Sequence, residues 1–123
     1  MKRTGERELA FKTIYSKFFN MDDCEELETQ EIESIEFTSK ILKLFAEHRD
    51  EINEIISSHL KGYTIERLYK IDLAIITLAV IELKFMSENP KEVVINEAVE
   101  LAKKYSTEKS PRFINGVLAD IVK

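Results

Sequence analysis

The sequence predicts an all-α protein, a compact single-domain bundle of about seven helices. Apolar residues recur at intervals of three and four along most of the chain, which is the spacing of one face of an α-helix. Only three glycines and two prolines occur among 123 residues, too few for the many turns of a β-rich domain. With 44% hydrophobic residues, a chain of this length can bury one core, so we expect residues 1–123 to form one domain.

Three helices are predicted in the amino-terminal half, over residues 4–19, 29–46 and 49–60. Each carries one apolar stripe that should face the core. These stripes contain Leu9, Ala10, Ile14, Phe18, Ile32, Ile35, Ile41, Leu42, Phe45, Ile52, Ile55, Ile56 and Leu60. The acidic segment 20–28 is predicted to be a polar loop, and Gly62 supplies a stop after the third helix.

The carboxy-terminal half is predicted to contain a short helical turn near Leu68 and three longer helices. The first of these, residues 73–86, is apolar on nearly every side through Ile81, which places it at the centre of the bundle. Asp72 stands where its carboxylate can cap this helix. After the break at Asn89-Pro90, two helices are expected at about 93–104 and 111–122. Their predicted core residues are Val94, Ile95, Ala98, Val99, Leu101, Ala102, Ile114, Val117, Leu118 and Ile121.

Charge is distributed unevenly along this acidic chain, whose net charge is −5. Residues 1–19 have a balance of +3, residues 20–60 a balance of −9, and the later basic residues cluster between positions 103 and 112. If the first helix and this late cluster lie side by side, they form one positive patch. Because charges are screened beyond roughly 8 Å in physiological salt, such a patch can bind independently of the distant acids.

Residues that commonly perform catalysis or bind metals are sparse. His48 and His59 are eleven positions apart without a cysteine pattern, so no metal site or cofactor is predicted. Cys24 cannot form an internal disulfide, which favours a reducing cytoplasm, and the charged amino terminus does not read as a signal peptide. The longest apolar run is far too short to span a membrane. We therefore expect a cytoplasmic protein that is not an enzyme.

The segment PKEVVINEAVELAKKYSTEKSPRFINGVL, residues 90–118, carries the strongest functional signal. It predicts two helices joined by a polar turn in which four basic residues accompany one acid, Glu108. Ser110 is predicted to cap the second helix and Pro111 to occupy its first position. Phe113 follows beside Arg112, and an aromatic ring with cations at a helix start suits unstacked bases and phosphates. The alternative is that Phe113 simply belongs to the core.

Four pieces of the chain together resemble the NusB family of bacterial transcription antitermination factors. They are RELAFKTIYS, RLYKIDLAIITLAVIEL, VINEAVELAKKYS and SPRFINGVL, of which Asn96-Glu97 and FINGVL are the most specific parts. The resemblance implies two subbundles, formed by the first three helices and by the remainder. It also implies binding to boxA RNA together with NusE, a small-subunit ribosomal protein. This assembly would help RNA polymerase read through termination signals during ribosomal RNA synthesis, with other Nus factors involved indirectly.

The resemblance further implies an RNA surface made of the amino terminus and the last interhelical turn. The matching residues are Lys2, Arg3, Arg7, Tyr15, Asp72, Lys104, Lys109, Arg112 and Phe113. We expect Arg7 and Arg112 on the surface and Tyr15 at its edge. For Asp72, a helix cap is the equal alternative to RNA contact.

The amino terminus, MKRTGERE, has fewer arginines than many family members, and Thr77 stands where some relatives have a basic residue. Each lost phosphate contact lowers the salt dependence and strength of RNA binding. We therefore expect weak RNA binding alone and tighter binding with NusE. One alternative is a NusB-fold adaptor with little RNA affinity. A second is the amino-terminal domain of a ribosomal RNA methyltransferase, which would need a cofactor domain. A homodimer is also compatible with the sequence.

Overall fold

The computed structural model of the chain describes residues 3–17, 32–60, 62, 64–86 and 89–123. Within these ranges the fold is all-α, which confirms the predicted class. The six α-helices are α1 (Arg3–Lys17), α2 (Ile32–Glu47), α3 (Arg49–Ser58), α4 (Lys70–Ile81), α5 (Lys91–Tyr105) and α6 (Ser110–Ile121). A 3-10 turn, Ile65–Arg67, precedes α4, and a π-helical segment, Glu82–Met86, continues it. The described residues thus hold six α-helices and a short turn, against a prediction of about seven helices.

Helix α4 lies at the centre of the described bundle, as its sequence predicted. Residues 72–81 are all buried, because this helix packs against α1, α2, α3, α5 and α6. Among the other helices, α1 packs on α2, α2 on α3, and α5 on α6. Because α1, α2 and α3 also pack directly on α4, the described helices share one core around that helix. The division into two subbundles stays a prediction.

The buried core confirms most of the predicted apolar stripes. Those confirmed as buried are Ala10, Ile14, Ile41, Phe45, Ile52, Ile56, Val94, Ala98, Leu101, Ala102, Ile114, Val117, Leu118 and Ile121. Leu42, Ile55, Leu60 and Ile95 pack against this core while partly exposed. Phe18, Cys24 and the segment 20–28 lie outside the described residues, as do the side chains of Ile32 and Ile35.

The helix ends confirm some of the predicted start and stop signals and contradict others. Gly62 has φ +81°, a left-handed conformation that glycine adopts without steric cost, as expected of a helix stop. Pro111 lies in the first turn of α6, as predicted. The two predicted side-chain caps are wrong: Asp72 is the third residue of α4 and Ser110 the first of α6, and neither helix has a side-chain cap bond. The two side chains bond to each other instead.

In the described part of the chain, no helix combines the length and the apolar character that crossing a membrane requires.

Candidate nucleic-acid interface

Arg7, predicted on the RNA-facing surface, lies inside the bundle, so that prediction is wrong. Its side chain is 4% exposed, and its Nε and Nη2 donate to the two carboxylate oxygens of Glu82 at 2.6 and 3.0 Å. Its Nη1 lies 3.9 Å from Glu97 Oε1. The sequence contained the reason, since Arg7 is three and four residues before buried Ala10 and Phe11 and therefore shares their face of α1.

Helix α1 contacts the start of the late basic cluster, at the end of α5, through the acid Glu8. The single positive patch predicted from the first helix and this cluster stays a prediction. Lys104 Nζ lies 2.5 Å from Glu8 Oε2, and the Tyr105 hydroxyl donates to the same oxygen. The hydrogen bond from Lys104, then that from Tyr105, lowers the pKa of Glu8 from its ordinary value of 4.5. In return, the bond to Glu8 raises the pKa of Lys104 from 10.5. The cation of Lys104 is exposed but already paired.

Aromatic rings form a row across the same contact. The Phe11 ring lies 5.3 Å from that of Tyr105 and 6.3 Å from that of Tyr15. Tyr15 is half-buried, which agrees with its predicted place at the edge of the surface. The Nζ of Lys12 lies 5.5 Å from the centre of the Tyr105 ring, so α1 adds a cation that was not among the predicted site residues.

A buried hydroxyl–carboxylate network joins the start of α4 to the turn between α5 and α6. Asp72, 4% exposed, accepts hydrogen bonds from Ser106 Oγ at 2.5 Å and from Ser110 Oγ at 3.0 Å. The Ser110 hydroxyl also lies 2.9 Å from that of Ser106 and 2.8 Å from that of Thr107. Since a buried carboxylate is costly without such partners, the network fixes the turn against α4.

Directly above this network is an open groove, here called the first groove, with a volume of about 330 Å³. Its lining residues are Arg67, Leu68, Tyr69, Asp72, Thr107, Lys109, Ser110 and Phe113. Tyr69 is 63% exposed, although large hydrophobic side chains are usually covered. Among the described residues, neither Arg67 nor Lys109 has an acid within ion-pair distance. The first groove therefore combines two aromatic rings with two unpaired cations.

The structure gathers only some of the predicted site residues into this groove. Asp72, Lys109 and Phe113 meet there. Phe113 also packs against the core, as the alternative interpretation expected, and its contact with RNA stays a prediction. Lys104 belongs to the contact between α1 and α5, whereas Tyr15 lies on α1 beside Phe11. Arg112 is exposed on α6 and lines neighbouring grooves.

Lys2 lies outside the described residues, and Arg3 is the first residue of α1.

Sequence reasoning missed Arg67, Tyr69 and Thr107, which line the first groove. Arg67 ends the 3-10 turn and Tyr69 immediately precedes α4, so neither lies on a helical stripe. They line the first groove only because tertiary packing places that turn beside the α5–α6 connection. The described ranges contain no group of three or more His, Cys, Asp or Glu residues placed to bind a metal.

The fold and the groove together define a class of protein: an all-α bundle that presents a cationic, aromatic-edged surface at a helix start. A model of the NusB family matches residues 4–123. The chain belongs to the NusB family.

The sequences of its relatives align with this chain over nearly their whole lengths. The chain is 39% identical over 143 residues to the transcription antitermination protein NusB of Clostridium botulinum strain Kyoto / Type A2, covering 99% of this chain and 100% of that protein. It is 42% identical over 130 residues to the protein of the same name from Finegoldia magna, covering 100% and 95%.

Solved structures show the same fold. T. maritima NusB matches with a TM-score of 0.88 at 32% identity, over 98% of this chain and 90% of that one. A chain in the crystal structure of the antitermination factors NusB and NusE in complex with double-stranded RNA matches with a TM-score of 0.84 at 31% identity, over 97% and 94%.

Proposed function

We propose that this chain is a transcription antitermination factor. It binds boxA RNA together with NusE and promotes read-through by RNA polymerase during ribosomal RNA synthesis, with other Nus factors acting indirectly. The support is membership of a family whose relatives carry that name, and similarity to a chain in a complex that contains NusB, NusE and RNA. In this proposal residues 1–123 act as one RNA-binding domain in the cytoplasm, by binding and recruitment rather than by catalysis.

The first groove is the observation that carries the RNA-binding part of the proposal. Tyr69 and Phe113 offer rings on which unstacked bases can stack, a contact worth about 1–3 kcal/mol per base. Arg67 and Lys109 provide positive charge for the adjoining phosphates. The Thr107 hydroxyl adds a polar group at the rim. Single-stranded RNA is recognised by this combination of stacking and backbone charge.

The predicted contacts take different roles in this proposal. Lys109, Arg112 and Phe113 touch RNA. Asp72 is too buried to read a base directly; it positions the groove by holding Ser106 and Ser110. Arg7 stabilises the fold and is not proposed as a contact.

Four further predicted contacts remain predictions. Lys104, at the end of α5, and Tyr15, on α1, would extend the surface along α1. Lys2 and Arg3 would extend it at the amino terminus.

We expect RNA binding by this chain to depend on NusE, because few of its cations are available to contact phosphates. Arg7 is engaged with Glu82 and Lys104 with Glu8, so both positive charges are compensated within the fold. The net charge of −5 adds a general repulsion toward RNA. We therefore expect weak binding by the chain alone, and a second protein surface would supply the missing contacts.

A titration of boxA RNA and a scrambled RNA, each with and without NusE, tests the proposal. We expect tighter binding to boxA and a further gain with NusE. Lys109→Ala should weaken binding and reduce the slope of log K against log salt by about 0.7, the value for one phosphate contact on a single strand. Lys43→Ala, at an exposed position of α2 that lines none of these grooves, is the matched control. Equal affinity for the two RNAs, or parental binding by Lys109→Ala, would contradict the proposal.

The alternative function is a protein-interaction adaptor with little RNA affinity. It is favoured by the same two internal ion pairs, in which Arg7 and Lys104 are each held by a glutamate. An adaptor would bind NusE while showing no preference for boxA over the scrambled sequence. The titration above separates the two functions because it measures RNA and NusE separately.

A further inference from the structure

A second groove lies across Phe113 from the first one, between the end of α3 and the outer face of α6. Its volume is about 460 Å³, and Phe113 lines both grooves. It is lined by His59, which directly follows α3, and by Arg112, Gly116, Asp120 and Lys123 from the last helix and the residues after it. The two grooves are therefore neighbours separated by one aromatic ring.

The floor of the second groove is open because the α6 residues Gly116 and Ala119, which line it, are small. Arg112, Gly116 and Asp120 are four residues apart and lie along one face of the helix. A Cβ atom built on Gly116 would meet no heavy atom within 4 Å. The helix thus leaves space between a cation at its start and the residues near its end, about 12 Å away.

The charges around this space leave an excess of positive groups. Arg112 has no acid within ion-pair distance among the described residues. Asp120 is the acid in the lining, and it lies 3.6 Å from His59 Nδ1 and 4.0 Å from Lys123 Nζ. The Lys123 side chain is 81% exposed, and an exposed pair of this length holds a lysine only weakly. His59 Nδ1 is buried without a hydrogen-bond partner, so Asp120 is close to it without bonding.

We propose that the second groove is a further binding site for the same RNA, and that it holds the sugar–phosphate backbone of nucleotides adjoining the base in the first groove. This inference rests on the proposed function and extends it. Two observations select RNA as the occupant: the groove adjoins the first one across Phe113, which lines both, and its cations complement phosphates. The strand passes over the ring, with Arg112 and Lys123 facing phosphates on the far side.

Asp120 opposes this binding, which gives the site a directional test. Its carboxylate occupies the groove and repels phosphate, so removing its charge should increase affinity. A role of Asp120 in stability alone predicts no such gain. Asp120→Asn should therefore tighten boxA binding by about fivefold, the change expected when one unit charge within about 4 Å of a phosphate is removed in water.

The matched pair Gly116→Glu and Gly116→Gln isolates charge from size. A Cβ atom at position 116 meets no heavy atom within 4 Å, and the two side chains are of nearly equal size and differ in the negative charge that glutamate brings. In boxA titrations, Gly116→Glu should bind about fivefold more weakly than Gly116→Gln. Circular dichroism and urea unfolding establish that each variant is folded.

The outcomes separate this inference from the function on which it rests. If the parent prefers boxA and Lys109→Ala weakens binding, while Gly116→Glu equals Gly116→Gln and Asp120→Asn equals the parent, RNA occupies the first groove alone and the inference is wrong. If the parent binds no RNA, with or without NusE, both proposals fail. A gain in Asp120→Asn with a loss confined to Gly116→Glu establishes the second groove as part of the RNA site.

Discussion

Among the ion pairs that connect α1 to the rest of the described bundle, two come from neighbouring residues. Arg7 meets Glu82 in the interior, where the two side chains are 4% and 3% exposed. Glu8 meets Lys104 at the surface, where the lysine is largely exposed. Arg7 and Glu8 are adjacent in the sequence, yet the ion pair of Arg7 is enclosed by protein and that of Glu8 is in contact with water.

This difference determines what each pair can do. A buried pair loses its hydration and depends on its partner, so removing one member leaves an uncompensated charge in the core. An exposed pair is screened by water and salt, and its members can exchange partners at little cost. We conclude that Arg7–Glu82 maintains the fold, whereas Glu8–Lys104 orders a surface that a ligand can still reach.

The largest expected effect is the loss of stability in Arg7→Ala. Deleting the guanidinium leaves Glu82 buried and unpaired, so the free energy of unfolding should fall by about 3–5 kcal/mol. Urea unfolding followed by circular dichroism measures this change. Lys104→Gln, which removes the exposed partner of the neighbouring pair, is the control and should shift the urea midpoint far less. Equal shifts in the two variants would show that burial does not distinguish the pairs.

A smaller effect is expected in the acid dependence of stability. Because the folded-state pKa of Glu8 is lowered below 4.5, the Glu8 carboxylate stabilises the fold above that pH, and this contribution is lost as the pH falls through the folded-state value. The difference in unfolding free energy between the parent and Glu8→Gln should therefore shrink below about pH 4.5. Lys104 shows the opposite sign: its pKa is raised, so its contribution disappears as the pH rises above 10.5.

Urea titrations of the parent and Glu8→Gln at pH 6 and at pH 3 measure this linkage. A difference between the two proteins that stays constant across that range would mean that Glu8 does not titrate with the contact to Lys104.

Much of the fold could be predicted because the apolar spacing is local information. Stripes such as Ala98, Leu101 and Ala102 on α5 are determined by the period of the helix itself, and all three residues are buried. The same period would have placed Arg7 on the buried face with Ala10 and Phe11. A charged residue was read as exposed because a lone sequence does not show that Glu82, 75 positions away, supplies its partner.

The site was predictable only in part, because some of its contacts join residues that are distant in the sequence. Lys109 and Phe113 stand out because they lie in one short basic segment around a helix start. Asp72 and Ser110 each looked like a helix cap, since capping is the common local use of these residues. Their mutual bond spans 38 positions and replaces both caps. Tyr69 carried no local signal at all, and its exposure beside the groove arises from packing.

In the proposed function Arg7 stabilises the fold, while RNA binds at the two grooves that Phe113 lines. The most direct test is the boxA affinity of the double variant Arg7→Met/Glu82→Leu, in which apolar side chains replace the buried pair and the stability of the fold is retained. We predict the same affinity and salt dependence as in the parent. A loss of binding as large as that in Lys109→Ala, in a variant with native circular dichroism, would show that Arg7 contributes to the RNA site.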